Sequence, residues 1–190
     1  KDYMVSMGFG NKLGVDLPGE VRGMIPNADY YDRRLGQWNA LGVISIAIGQ
    51  GEVTLTPLQI ANLGATIANR GYYITPHIVK RIEGGHIADS LLVKHKTKVE
   101  KQYYDMVVEG MRKAVIGGTC RSTTTSMYEV CGKTGTAQNR GKDHSAFMGF
   151  APKDNPKIAI DPFDSYDASV FEQNGYKVIA QEDFNEELIK

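Results

Sequence analysis

The feature that most constrains the fold is a pair of strand-like runs on either side of a short polar segment. The first run, Tyr128–Gln138, ends in CGKTGTAQ, and the second, Ser145–Ala151, reads SAFMGFA. The segment between them, Asn139–Asp143, contains a glycine and is typical of a turn. Two runs joined in this way predict a β-hairpin, and Lys157–Ile160 predicts a third short strand.

Two helices are predicted upstream of the hairpin. Thr56 is a suitable N-cap, Pro57 suits the first helical position, and Gly71 ends the run of small apolar residues that follows. So many small side chains predict close packing against a sheet or another helix. The second helix is predicted behind a Thr-x-x-Glu capping box at Thr97–Glu100, and a glycine pair at 117–118 ends it.

The other segments are less regular in sequence. Residues 1–40 are rich in Gly, Pro, Asn and Asp, which predicts a loop-rich surface segment. Val43–Ile48 is apolar and β-branched and fits either a buried strand or a short buried helix. A strand is predicted around Ile74–Ile82, with residues 86–95 as its candidate partner. Together these elements predict an α+β fold in which an antiparallel sheet packs against helices.

Charge and composition narrow the range of ligands. Lys plus Arg total 22 and Asp plus Glu total 22, so the chain has no formal net charge at pH 7. Because nucleic-acid binding depends on an excess of positive charge, no nucleic-acid partner is predicted. The longest apolar run, Val43–Ile48, is far shorter than the roughly 20 residues that span a bilayer. No spacing of His or Cys is typical of a metal site, and no cofactor is predicted.

The chain has two cysteines, Cys120 and Cys131. Two explanations fit the sequence equally well. They are either two small buried thiols or, in an oxidising compartment, one disulfide that closes a short loop.

The Lys133–Thr136 run (KTGT) has a chemical interpretation if it lies on an edge strand. Side chains alternate along a strand, so Lys133 and Gly135 share one face, and Thr134 and Thr136 share the other. Gly135 lets a ligand approach the backbone, and free backbone groups at an edge can pair with an extended peptide. With the Lys133 cation and the Thr136 hydroxyl, this pattern predicts a groove for a peptide with an anionic end. An ordinary strand with a surface lysine is the alternative.

Lys-Thr-Gly is one of three motifs shared by penicillin-binding proteins and class A β-lactamases. The chain resembles the class B penicillin-binding proteins, which are elongation-type transpeptidases. The resemblance includes Leu13–Glu20, Ala47–Ile82 and the hairpin, where EVCGKTGTAQN is followed by HSAFMGFAP at His144–Pro152. It covers residues 1–160 and implies part of the penicillin-binding/serine β-lactamase-like transpeptidase fold.

The resemblance implies a D,D-transpeptidase, an enzyme that cross-links peptidoglycan through a serine acyl-enzyme. The implied partners are the stem peptide ending in D-Ala-D-Ala, the β-lactams that mimic this end, and proteins of the wall-elongation complex. The parent protein is expected in the cytoplasmic membrane with this domain facing the periplasm. That compartment permits the disulfide between Cys120 and Cys131.

The resemblance also implies roles for the KTGT residues. Lys133 is expected to support the proton network and electrostatics of the active site. Thr134, Gly135 and Thr136 are expected to lie beside the substrate, with the Thr136 hydroxyl near its terminal carboxylate. The backbone N–H of Thr136 is expected to supply half of an oxyanion hole.

The other two motifs of the family are absent from the chain. No serine is followed by Lys at the third position, and Ser-x-Asn does not occur. Residues 1–160 are therefore expected to be the C-terminal portion of a transpeptidase domain that is inactive alone. Residues 161–190 do not fit the family pattern and are expected to be a divergent or foreign tail. A serine β-lactamase or D,D-carboxypeptidase relative and a non-enzymatic β-lactam-sensing domain remain alternatives.

Overall fold

A computed structural model of the chain describes residues 1–138 and 143–161. The predicted turn and the predicted tail lie, apart from Asp143 and Asp161, outside the described residues. The helices are α1 (Asp2–Ser6), α2 (Ala28–Leu35), α3 (Ala40–Ala47), α4 (Pro57–Ala68) and α5 (Lys101–Gly117). The strands are β1 (Tyr72–Ile74), β2 (Lys94–Lys96), β3 (Cys131–Ala137), β4 (His144–Ala151) and β5 (Ile158–Ile160). Short 3₁₀ turns occupy Asp89–Leu91 and Arg121–Thr123.

The main sheet is antiparallel, with the strand order β3-β4-β5. Its register pairs Cys131 with Phe150 and Thr136 with Ser145. A separate two-stranded ribbon pairs β1 with β2. The strands predicted on either side of residue 140 therefore pair as expected, and the α+β class is confirmed.

The core lies between the main sheet and two helices. Cys131 and Phe150, which face each other across β3 and β4, are 0% and 1% exposed. They pack with Ile67 and Ala68 of α4 and with Tyr104, Val108 and Met111 of α5. Burying each large apolar side chain of this kind contributes roughly 1.5–3 kcal/mol to the free energy of folding. Because Cys131 is part of this cluster, the cluster holds the first residue of β3 in place.

Small residues let α4 approach the sheet closely, as predicted. A Cβ added at Gly64 would lie 3.3 Å from Cγ of Met148 and 3.5 Å from the carbonyl oxygen of Gly149. The start of α4 is also as predicted. Thr56 is the N-cap, Pro57 follows it, and the helix ends at Ala68, shortly before Gly71.

Gln59 completes this cap and holds the N-terminal segment against α4. Its Oε1 accepts a hydrogen bond from the Thr56 N–H at 3.1 Å. Its Nε2 lies 3.2, 3.1 and 3.0 Å from the carbonyl oxygens of Gly8, Asn11 and Arg22. The side chain is buried, and its amide holds residues 8–22 of the first segment against α4.

The capping box predicted at Thr97 is wrong. Helix α5 begins at Lys101, and its N-cap is Glu100, which makes no capping hydrogen bond with its side chain. The hydroxyl of Thr97 lies 2.6 Å from that of Tyr104, and the Thr97 N–H donates to the Gly71 carbonyl at 2.9 Å. The Thr97 hydroxyl is thus hydrogen-bonded to the buried Tyr104 hydroxyl and does not cap helix α5.

Two other local predictions need correction. Val43–Ile48 falls largely in helix α3, which confirms the helix alternative, but the predicted burial is wrong, since Ile44 is 59% exposed. The strand predicted at Ile74–Ile82 is limited to Tyr72–Ile74. Pro76 has no N–H for a ladder, and the N–H groups of Ile78 and Val79 donate to the carboxylate of Asp16 instead. Among the helices of the described ranges, none has the length and apolar character that a bilayer crossing requires.

Candidate functional site

Strand β3 forms one edge of the main sheet. It pairs with β4 on one side, and no other strand of the described residues pairs with its opposite side. Cys131 and Gly132 are buried, whereas Lys133, Gly135 and Thr136 are exposed. The predicted candidate residues therefore lie together on an edge, where the strand leaves the core.

The register places these residues on the faces that the sequence predicts. Lys133 pairs with Met148 and Gly135 pairs with Ala146, so both share the face of Cys131. Thr134 and Thr136 lie on the other face. A Cβ added at Gly135 would have only the Ala146 methyl near it, at 3.9 Å, so the strand is open at this position.

The outward backbone groups of β3 can be assigned from two contacts. The Gln50 side-chain amide donates from Nε2 to the Thr136 carbonyl oxygen at 3.1 Å. The Lys133 ammonium donates to the Thr134 carbonyl oxygen. In an antiparallel pair, alternate residues direct both backbone groups away from the partner strand. Thr134 and Thr136 are therefore the residues whose N–H and C=O groups face outward.

Side chains around the strand complete the site. The Thr134 hydroxyl donates to the Thr119 hydroxyl at 2.8 Å, which ties β3 to the segment after α5. The Lys133 side chain is exposed, and within residues 1–138 and 143–161 it forms no salt bridge. The positive charge of Lys133 is therefore not neutralised by a carboxylate in that part of the chain.

Sequence analysis missed two residues of this site, Gln50 and Thr119. The signal for Gln50 is its position between Gly49 and Gly51, which the sequence shows only as a break after an apolar run. Thr119 follows the glycines that end α5 and has no distinguishing pattern. Both contacts join segments that are distant in sequence, so local patterns do not reveal them.

Cys131, at the start of β3, is not a candidate nucleophile. Burial raises the pKa of its thiol to about 11, so the reactive thiolate is scarce at neutral pH. Cys120 and Cys131 are both buried free thiols in the structure, which corresponds to the first of the two explanations above. No group of His, Cys, Asp and Glu side chains suited to a metal ion occurs in the described ranges.

The family model described as "Penicillin binding protein transpeptidase domain" matches residues 1–161. The chain belongs to this family. The resemblance to class B penicillin-binding proteins is thereby confirmed, and so is the transpeptidase-type fold.

Curated members of the family are similar over most of this chain. The peptidoglycan D,D-transpeptidase MrdA of Acinetobacter baumannii is 38% identical over 83% of this chain and 26% of that protein. Penicillin-binding protein 2A of Bacillus subtilis is 33% identical over 84% of this chain and 24% of its own length. The chain thus spans about a quarter of the length of these relatives.

Solved structures of the family share the fold. The crystal structure of Pseudomonas aeruginosa PBP2 in complex with WCK 5153 has a TM-score of 0.74 at 37% identity, over 83% of this chain and 37% of that one. PBP2 of Helicobacter pylori, solved in complex with MreC, has a TM-score of 0.71 at 30% identity, over 83% of this chain and 29% of that one. Both belong to the PBP2 type of transpeptidase.

Proposed function

We propose that this chain is the C-terminal portion of the transpeptidase domain of a PBP2-type peptidoglycan D,D-transpeptidase. The observation that carries the proposal is the exposed edge of β3, on which Lys133–Thr136 lie in a member of this family. The parent protein cross-links stem peptides and is acylated by penicillin on a serine. It lies in the cytoplasmic membrane with this domain facing the periplasm.

The edge of β3 supplies the binding surface for the stem peptide. An extended peptide that adds to an edge strand forms main-chain hydrogen bonds, here with the outward groups of Thr134 and Thr136. The open position at Gly135 lets the peptide approach closely. The Lys133 ammonium and the Thr136 hydroxyl then hold the terminal carboxylate of D-Ala-D-Ala.

The Thr136 N–H contributes to catalysis by donating a hydrogen bond to the oxygen on which negative charge develops in the transition state. It forms half of the oxyanion hole, and a single donor of this kind lowers the barrier by about 3–4 kcal/mol. Lys133 acts in the proton network of the site. The serine nucleophile and its lysine belong to the Ser-x-x-Lys motif of the parent.

The partners of the parent follow from the same assignment. The Helicobacter pylori relative was solved with MreC, and another relative appears in a structure of a peptidoglycan synthase complex. We expect the parent to act within a wall-elongation complex of this kind.

Acylation by a fluorescent penicillin tests the proposed function. The full-length parent is expected to become labelled at one serine, and Lys133→Ala is expected to slow labelling at least 100-fold. Lys101→Ala, an exposed lysine at the start of α5, is the matched control and is expected to label as the wild type does. The isolated 190-residue chain is expected to remain unlabelled.

Three results would contradict this assignment. An unlabelled wild-type parent would favour the non-enzymatic alternative, and rapid turnover of penicillin would favour a β-lactamase. Stoichiometric labelling of the isolated chain would show that the nucleophile lies within residues 1–190.

A further inference from the structure

The contact between Gln50 and Thr136 joins two residues 86 positions apart. It engages the carbonyl oxygen of Thr136, one of the acceptors that β3 directs away from β4. A peptide that pairs with this edge must use the same carbonyl oxygen, because the outward groups of alternate residues are the ones an added strand bonds. Because that oxygen points away from β4, the Gln50 amide bonded to it lies on the side from which an added strand approaches, so Gln50 and the peptide compete for the same position.

The backbone around Gln50 is held by the end of helix α3. Gly49 has a φ of 77°, and its N–H donates to the Ile46 carbonyl at 2.9 Å. The Gln50 N–H donates to the Ser45 carbonyl at 2.9 Å. These two bonds form a Schellman motif, which ends the helix and fixes the position of the residue that follows the glycine. The Gln50 side chain is thus presented to β3 by a preorganised turn.

The other outward carbonyl of the β3 edge, that of Thr134, is hydrogen-bonded by a charged side chain. The Thr134 carbonyl oxygen accepts from the ammonium of Lys133, which lies on the same strand. A long, flexible and exposed lysine can move from a neutral carbonyl to the carboxylate of a ligand and there form an ion pair with two charged partners. The Gln50 amide carries no charge and forms no ion pair with that carboxylate.

We propose that Gln50 guards the β3 edge: its side-chain amide occupies the Thr136 carbonyl, and a stem peptide binds only after this amide is released. This inference rests on the proposed function, because it assumes that the edge is the docking surface. The guard also covers part of an exposed strand edge, which is otherwise prone to pair with other chains. Peptide docking must therefore break the Gln50–Thr136 hydrogen bond, and the free energy that this requires depends on one side chain outside the KTGT motif.

The experiment measures the acylation rate constant of the full-length parent at limiting concentrations of a fluorescent penicillin. The variants are Gln50→Ala and Gln50→Met, the second of which keeps the length of the side chain but removes the donor. Both are expected to be acylated about fivefold faster than the wild type, the factor set by one ordinary net hydrogen bond. Gln37→Ala, at an exposed glutamine just before α3, is the control and is expected to leave the rate unchanged.

The outcomes separate this inference from the proposed function. Acylation that is unchanged or slower in both Gln50 variants, with a wild-type thermal unfolding midpoint, would overturn the inference and leave the function standing. A wild-type parent that is not acylated at all would contradict the proposed function and with it this inference. If Gln50→Ala fails to fold, the rate of Gln50→Met decides.

Discussion

Gln59 is one of the side chains that join the first segment to the rest of the molecule, and Asp16 is another. Gln59 is 2% exposed, and its amide serves three carbonyl groups and one backbone N–H. A glutamine can do this because its side chain carries both a donor and an acceptor end. Its role combines a local helix cap with contacts to residues 37–51 positions away.

We expect Gln59→Ala to lower the free energy of unfolding by roughly 2–4 kcal/mol. The change removes the cap partner of Thr56 and leaves carbonyl groups of the first segment without a donor, and unsatisfied buried groups are costly. Urea unfolding followed by circular dichroism measures the effect. Gln102→Ala, at an exposed glutamine of α5, is the control, with an expected change within about 0.5 kcal/mol. Equal stability of Gln59→Ala and the wild type would show that water replaces these hydrogen bonds.

At the scale of elements, sequence analysis succeeds where the determining residues are neighbours in the chain. The start of α4 depends on Thr56 and Pro57, and the hairpin strands depend on their own alternation, so both are predicted. Thr97 fails as a cap because its partner, Tyr104, is a buried hydroxyl that only the fold brings into reach. Gln50 escapes prediction for the same reason, since its contact is made with a residue on another element.

The junction of the β1–β2 ribbon with α5 gives a prediction at this scale. Gly71 has a φ of 110°, and a Cβ added there would lie 2.9 Å from the ring of Tyr104, which is 3% exposed. We expect Gly71→Ala to lower the free energy of unfolding by roughly 2–4 kcal/mol, from backbone strain and overpacking together.

The matched control for this prediction is Gly110→Ala in α5. Nothing lies within 4 Å of a Cβ added there, so the helix propensity of alanine is expected to stabilise the chain by up to about 1 kcal/mol. The two substitutions are chemically identical, and thermal unfolding is expected to shift in opposite directions. A Gly71→Ala variant as stable as the wild type would mean that the ribbon and Tyr104 move apart freely.

At the scale of the whole molecule, the core and the candidate site are parts of one strand. Strand β3 begins at Cys131, whose side chain is 0% exposed and packs against α5. The strand reaches the surface two residues later at Lys133. Packing at its buried end therefore fixes the position of its exposed end. A change that opens the core is expected to displace Thr134 and Thr136 as well.

The two buried cysteines report on how often the core at the buried end of β3 opens. Burial raises the pKa of Cys131 to about 11, so at pH 8 only about one thiol in a thousand is ionised, and the buried sulfur is also shielded from reagents. We expect iodoacetamide to leave both thiols of the folded chain unmodified for hours and to modify both in urea, as measured by intact mass.

Val108→Ala, which shortens a side chain of the same core cluster, is expected to speed modification of the folded chain at least tenfold, because core opening becomes more frequent. Val107→Ala, at the exposed neighbouring position, is the control. An intact mass lower by two hydrogens in protein exported to an oxidising compartment would instead reveal a disulfide and a rearranged start of β3.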